Sequence, residues 1–255
     1  GTEIIMRLGD EHLATGKPIA YTSGDSIMQI AAHEEHFGLQ RLYAVCEAAF
    51  ELVKPYNIGR VVARPFLGSQ AKYHRTANRH DYAVAPPGAT LLDHVCDAGG
   101  EVIALGKVRD IFAGQGVSRV VKGADNMALF DALLQTMEQA QSGSLSFVNF
   151  VDFDQLFGHR RDPVGYAQAL HEFDARLPEF MAKLRPGDLA VVTADHGCDP
   201  TWAGSDHTRE HIPMLFFGLG VEGRALPISS SFSDIGQTLA SHLGVSPLLH
   251  GHRVL

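Results

Sequence analysis

The chain of 255 residues carries 29 acidic and 21 basic side chains, 14 histidines and three cysteines. At 45% hydrophobic and 20% charged, it has apolar material for one large or two modest cores, which excludes disorder, collagen and coiled coil. A net charge of −8 leaves no basic surplus for a nucleic-acid partner, and no apolar run approaches the roughly 20 residues that span a bilayer.

In chain order, apolar residues at helical spacing (Ile4, Ile5, Leu8) predict a helix over Glu3–Leu13, closed by Gly16-Lys17-Pro18. A short strand, Ile19–Thr22, delivers Ser23-Gly24-Asp25, and a helix over about Leu39–Val53 leads to a strand at Gly59–Ala63. The stretch from Arg64 to Asp81 reads as a polar loop rich in Arg and His. Pro86-Pro87-Gly88 separates this small α+β region, 1–87, from a larger one, 88–255.

Beyond it, helices and strands alternate. Leu91–Ala98 is a predicted helix and Glu101–Leu105 a strand; Met127–Ala140 is a helix and Leu145–Val151 a strand. A long amphipathic helix over about Val164–Leu184 carries Leu170, Phe173, Leu177, Phe180, Met181 and Leu184 on one face. Strands at Leu189–Thr193 and Pro213–Phe217 precede a last helix at Asp234–Leu243. Apolar strands between helices predict an α/β fold with a mostly parallel sheet flanked by helices.

In such sheets ligands bind at the carboxyl ends of the strands. Two strands here run into acidic and histidine residues: Asp152-Phe153-Asp154 with Gly158-His159, and Asp195-His196-Gly197 with Asp206-His207. Carboxylate and imidazole aimed at one sheet edge suit Zn, Mn or Fe, and the absence of paired thiolates argues against a structural zinc site. Adjacent Asp195 and His196 share a site if the backbone turns there, which Gly197 permits.

His12, His94 and His242 read as solvated surface residues, and His33-Glu34-Glu35-His36 lacks the HExxH spacing of a helical zinc site. Gly218–Gly223 formally matches GxGxxG but precedes no helix, so it reads as a turn. Cys46, Cys96 and Cys198 are widely spaced with no CxxC, which favours a reducing, cytoplasmic setting over a disulfide framework. Arg64, Arg75 and Arg79 with Ser23 and Asp25 look like a phosphosugar grip, since the guanidinium fork matches phosphate; Lys107, after the strand ending at Leu105, adds a point charge.

Longer motifs are more specific. Asp152-Phe-Asp154-x-x-x-Gly158-His159-Arg-Arg-Asp162, Thr193-Ala-Asp195-His196-Gly-Cys-Asp-Pro-Thr-Trp202 and Asp206-His207-Thr-Arg-Glu-His211-Ile-Pro213 resemble the phosphopentomutase family of the alkaline phosphatase superfamily. Tyr21-Thr-Ser-Gly-Asp25-Ser, Asn57-Ile-Gly-Arg-Val-Val-Ala-Arg64-Pro-Phe and Asn78-Arg79-His80-Asp81 resemble its cap. The resemblance implies an alkaline-phosphatase-like core in 88–255, with an α+β cap in 1–87. It implies two Mn²⁺ ions, one held partly by Asp195 and His196, the other by Asp154, His159 and His207. Ser23, Asp25, Arg64, Arg79 and Lys107 would hold the phosphosugar from the cap side. The implied activity is isomerisation of ribose or deoxyribose 1-phosphate to the 5-phosphate, through a phosphothreonine enzyme and a bisphosphate.

In the family that threonine and one further aspartate ligand precede the cap. No threonine here matches the position, so the chain is expected to be a fragment, with the nucleophile upstream of Gly1 and the missing N-terminal segment as its partner. Two other readings stay open: another phosphomutase or phosphatase of the superfamily, such as a phosphoglycerate mutase, or a non-catalytic module binding metal or sugar phosphate.

Overall fold

A computed structural model describes residues 2–23, 27–56, 58–70 and 72–255. The chain divides into two compact units, Gly1–Ala85 and Pro86–Leu255.

In the first unit, helix α1 (Thr2–Thr15) is followed by strands β1 (Ile19–Ser23) and β2 (Ile27–His33). A π-helical turn (Glu34–Gly38) leads into α2 (Leu39–Val53), then β3 (Arg60–Ser69), β4 (Lys72–Arg75) and β5 (His80–Ala83). β2 and β3 run parallel with α2 as their crossover, and β1 lies antiparallel on the outer edge of β2. Alternation along β2 sends Ile30 and Ala32 towards α2, where Leu42 and Cys46 meet Val61 and Ala63. Ala31 faces the other way, packing with Ile5 of α1, Phe66 and Tyr73. The sheet is therefore covered on both faces.

The polar loop expected over 64–81 is corrected by the structure: it holds the second half of β3 and two short strands. β3 pairs antiparallel with β5 through Arg60–Ala63 and with β4 through Phe66–Ser69. Pro65 sits between these ladders and has no N–H to donate. The partner strand leaves the sheet there, while the Thr76 N–H donates to the Pro65 carbonyl at 3.0 Å. The polar residues that suggested a loop line the outer face of β4, whose inward residue, Tyr73, is buried.

His12 is also a correction. Expected on the surface, it is 2% exposed, with its ring against Phe37 and Phe66. An isolated polar residue at a helical core position gives no sign in the sequence of which partners satisfy it. His94 and His242 bond to the carbonyls of Ser246 and Gly187, at 2.8 and 2.9 Å.

The second unit opens with α3 (Leu91–Asp97), whose Thr90 and Asp93 form a reciprocal capping box. Then come β6 (Val102–Leu105), the short α4 (Val108–Ile111), β7 (Arg119–Val121), α5 (Asn126–Gln139) and β8 (Leu145–Val148). A π-helical turn (Phe153–Gly158) precedes α6 (Pro163–Ala182), β9 (Ala190–Thr193), β10 (Met214–Phe217) and α7 (Ser233–Leu243). β6 lies between β7 and β8, parallel to both. Its residues are fully buried: Val102 packs with α3 and Ala240 of α7, and Ile103 and Leu105 pack with α5.

Among the described residues, β9 and β10 form their own ladder, antiparallel rather than part of the parallel sheet. The face expected of α6 is also narrower. Phe173 meets Phe130, Phe150 and Phe153, and Phe180 meets Phe217, whereas Leu170 and Met181 are about half exposed. Among the described residues no helix is long and apolar enough to cross a membrane.

Phe66 centres the first unit's core, fully buried and edge-on to Tyr73, His12 and His33. Phe66→Ala is expected to cost about 3–5 kcal/mol, read as a lowered urea midpoint by circular dichroism. A loss below about 1 kcal/mol would show that this core collapses around the cavity.

Candidate metal centre

Asp154 lies in the π-helical turn after β8, and His159 follows that turn directly. Asp195 and His196 follow β9, and His207 stands beside Thr208, which forms an isolated antiparallel bridge with Gly197. Donor atoms of Asp154, His159 and His207 all lie within 4.8 Å of one another. His159 Nε2 is 3.4 Å from Asp154 Oδ2, and His207 Nε2 is 3.3 Å from Asp154 Oδ1. The two Nε2 atoms are 3.2 Å apart. The His159 Nδ1–H donates to the Ser205 carbonyl at 2.5 Å, leaving the Nε2 lone pair facing the cluster. One carboxylate and two imidazoles, each about one-third exposed, fit a borderline divalent cation.

His196 is brought to the same place by stacking: its ring lies 3.6 Å from that of His207, tilted by 16°. Its Nδ1–H bonds to the Gly197 carbonyl at 3.0 Å, while its Nε2 lies 3.5 Å from Asp195 Oδ1. The Asp195 side chain is 74% exposed and joins the group only through His196. Gly197 acts differently from the turn expected of it. It is not at positive φ; instead a Cβ there would lie 2.3 Å from Glu210 Oε2 and 2.7 Å from the Thr208 carbonyl. Glycine lets the 208–210 segment pack against the backbone at Gly197, directly after His196.

Arg161 does work that no spacing announces. It holds a left-handed φ of 53°, unusual for a residue with a side chain. Its guanidinium donates to the carbonyls of Gly204 (2.5 Å), Gly158 (3.2 Å), Asp199 (2.9 Å) and Asp206. The loop that carries Ser205 and leads to His207 is thereby tied to the turn that carries Asp154. Asp152 is used in a second tie: its carboxylate accepts from the Asn126 N–H at 2.8 Å, and the Asn126 amide oxygen accepts from the Asp152 N–H at 3.1 Å. Burial and the neighbouring Asp154 carboxylate raise the Cys198 thiol, which donates to Asp154 Oδ1 at 3.6 Å.

Lys107 lies in this unit, just after the strand that ends at Leu105, where its position in the chain put it. It follows Gly106, where a Cβ would lie 2.6 Å from the Asn149 carbonyl, and its ammonium donates to Gln155 at 3.2 Å. It therefore sits one residue from Asp154 along the turn.

The arginines form a separate cluster in the first unit. Arg64 Nε donates to Gln29 at 2.8 Å, and Arg79 grips Asp81 with two bonds of 2.6 Å. Burial, with the charges of Arg79 and Arg75, lowers the Arg64 guanidinium to about 10. Burial would raise the Asp81 carboxyl, but Arg79, Arg60 and Arg64 outweigh it and hold it below the ordinary range. Asp25 and the side chain of Ser23 lie outside the described residues.

The match to known proteins follows both units. The model of the metalloenzyme superfamily matches residues 25–247, and the chain belongs to that superfamily. At 62% identity over 252 residues, it is similar to the phosphopentomutase of Chelativorans sp. (strain BNC1), covering 98% of this chain and 62% of that protein. The phosphopentomutases of Sinorhizobium medicae (57% identical, 100% of this chain, 63% of that protein) and Agrobacterium fabrum (57%, 98% and 62%) are similar in the same way. The chain thus spans a little over three-fifths of the length of these relatives.

Arg161→Ala is expected to weaken Mn²⁺ binding about 10- to 100-fold in an electron paramagnetic resonance titration, the usual penalty for losing groups that orient ligands. Arg161→Lys should not restore it, because one ammonium cannot span four carbonyls. Asp81, with a folded pKa below its unfolded one, stabilises the first unit at neutral pH, and that contribution fades as pH falls through the folded value. Asp81→Asn should therefore flatten the acid limb of stability against pH, followed by chemical denaturation from pH 7 downwards.

Proposed function

We propose that this chain supplies the sugar-phosphate cap and much of the metal-binding core of a phosphopentomutase, which interconverts ribose or deoxyribose 1-phosphate and 5-phosphate. The observation that carries the reading is the identity of 56–62% to phosphopentomutases, continuous across both units. The donor set of Asp154, His159 and His207 supports it from the side of chemistry. In this reading 1–87 acts as the cap and 88–255 as the core, and the setting is cytoplasmic.

Two divalent ions, Mn²⁺ on this reading, would supply positive charge that stabilises a transferring phosphoryl group. Asp154, His159 and His207 would hold one of them, and Asp195 with His196 part of the other. The chain's own residues supply the rest. His159 presents Nε2 because its Nδ1–H is committed to Ser205. Arg64 and Arg79 offer guanidinium donors to the phosphate of the sugar, and Lys107 offers a charge beside the metal-binding turn. The closeness of three like-charged arginines, unfavourable by itself, is relieved by a bound dianion.

The protein carrying this chain is expected to interconvert ribose 1- and 5-phosphate with Mn²⁺ present, and not to act on 3-phosphoglycerate. Turnover of 3-phosphoglycerate alone, or sugar-phosphate binding without turnover, would overturn the reading. Asp154→Ala or His207→Ala should abolish turnover and lower metal content. Arg79→Ala should chiefly raise KM, by about tenfold or more, as expected on losing a bidentate phosphate contact.

A further inference from the structure

His33-Glu34-Glu35-His36 has no part in the metal centre, yet the first unit builds a continuous set of bonds around it. His33 ends β2, and Glu34, Glu35 and His36 begin the π-helical turn that follows. Two buried imidazoles seat that turn. The His12 Nδ1–H donates to the Lys17 carbonyl at 2.6 Å, and its Nε2 accepts from the His33 backbone N–H at 2.9 Å. The His33 Nε2–H donates to the Gly68 carbonyl at 3.1 Å, and its Nδ1 accepts from the His36 N–H at 3.2 Å. Both rings are used at both nitrogens, so the turn cannot shift without leaving buried groups unpaired.

From this seat Glu34 reaches the 76–79 segment, where the chain leaves the sheet opposite Pro65. Glu34 Oε2 accepts from the Thr76 hydroxyl at 2.6 Å, and Oε1 accepts from the Asn78 amide at 2.8 Å. The Tyr43 hydroxyl donates to the Asn78 carbonyl at 2.8 Å. Asn78 and Arg79 are exposed, so packing does not order them. Polar bonds must: the two Arg79–Asp81 bonds hold the guanidinium, and two charge-assisted bonds to Glu34 hold the segment that leads to it. The Thr76 N–H bond to the Pro65 carbonyl then sets this segment beside Arg64.

We infer that Glu34 is a positioning residue for phosphate recognition: it holds the 76–79 segment so that Arg79 meets the sugar phosphate already oriented. This rests on the reading of Arg79 as a phosphate-binding residue. Preorganisation of this kind acts on binding, because the cost of ordering the segment is met before the substrate arrives.

The test uses the protein carrying this chain. In Glu34→Ala, amide exchange across 76–79 should quicken about tenfold while β3 and α2 stay within about twofold, the mark of local rather than global loosening. KM for ribose 5-phosphate should rise about tenfold with kcat within about twofold, and the KM penalty should vanish in an Arg79→Ala background. Glu34→Gln, which keeps one acceptor, should fall between wild type and Glu34→Ala. Unchanged exchange across 76–79 would overturn the inference whatever the activity. So would a KM penalty of equal size in the Arg79→Ala background, because Glu34 would then act on something other than Arg79. Absence of ribose phosphate turnover in the unsubstituted protein would overturn the functional reading alone, since the exchange measurement still decides whether Glu34 holds the segment.

Discussion

Groups that accept protons and electron-poor partners do not gather of their own accord, yet donor atoms of Asp154, His159 and His207 lie within 4.8 Å of one another. Each has to be held there by bonds made elsewhere. Arg161 supplies the largest share, since its guanidinium closes on four backbone carbonyls from two separate loops. The left-handed backbone that Arg161 adopts costs something locally. That cost is offset by satisfying carbonyls that the irregular loop cannot pair with one another. The reciprocal bonds of Asp152 and Asn126 fix the start of the same turn, and Ser205 sets the tautomer of His159. Donor convergence is thus a property of the surrounding backbone more than of the three donors.

The first unit solves the opposite problem, the gathering of cations. Arg75 and Arg79 lie close enough to lower the Arg64 guanidinium, and Asp81 is the carboxylate that Arg60 and Arg79 share. The site exists because Pro65 interrupts one edge of β3. A residue without an N–H cannot continue the ladder, so the chain departs there after Arg75 and returns at His80 as β5. What holds the excursion is a carboxylate on a neighbouring π-helical turn, seated by two buried histidines.

Much of this was legible beforehand. The helix α2 runs from Leu39 to Val53, the range expected of it, and β6 is buried on both faces, as its unbroken apolar run predicts. The strand ends that carry Asp154 and Asp195 could be found because an apolar run stops at an acidic residue. The strands β4 and β5 could not, because at the edge of a sheet only alternate residues face the core, and Lys72, His74 and Arg75 there look like loop. His12 was read as surface for a related reason: a buried polar group is recognised by its partners, here Lys17 and His33, which only folding brings to it.

The sequence by itself determined the main helices and the buried strands, the proline-rich break near Pro86 and the residue types that offer metal and phosphate chemistry. These depend on local periodicity, turn residues and side-chain chemistry, all of which act over a few positions. Only the tertiary structure decided that His196 stacks on His207, that Lys107 bonds beside Asp154 and that Arg161 clamps the donor loop. It also decided that Glu34 holds the segment carrying Arg79. Those pairings join residues some 10 to 50 positions apart, and their geometry follows from sheet register and loop closure, which no local pattern records.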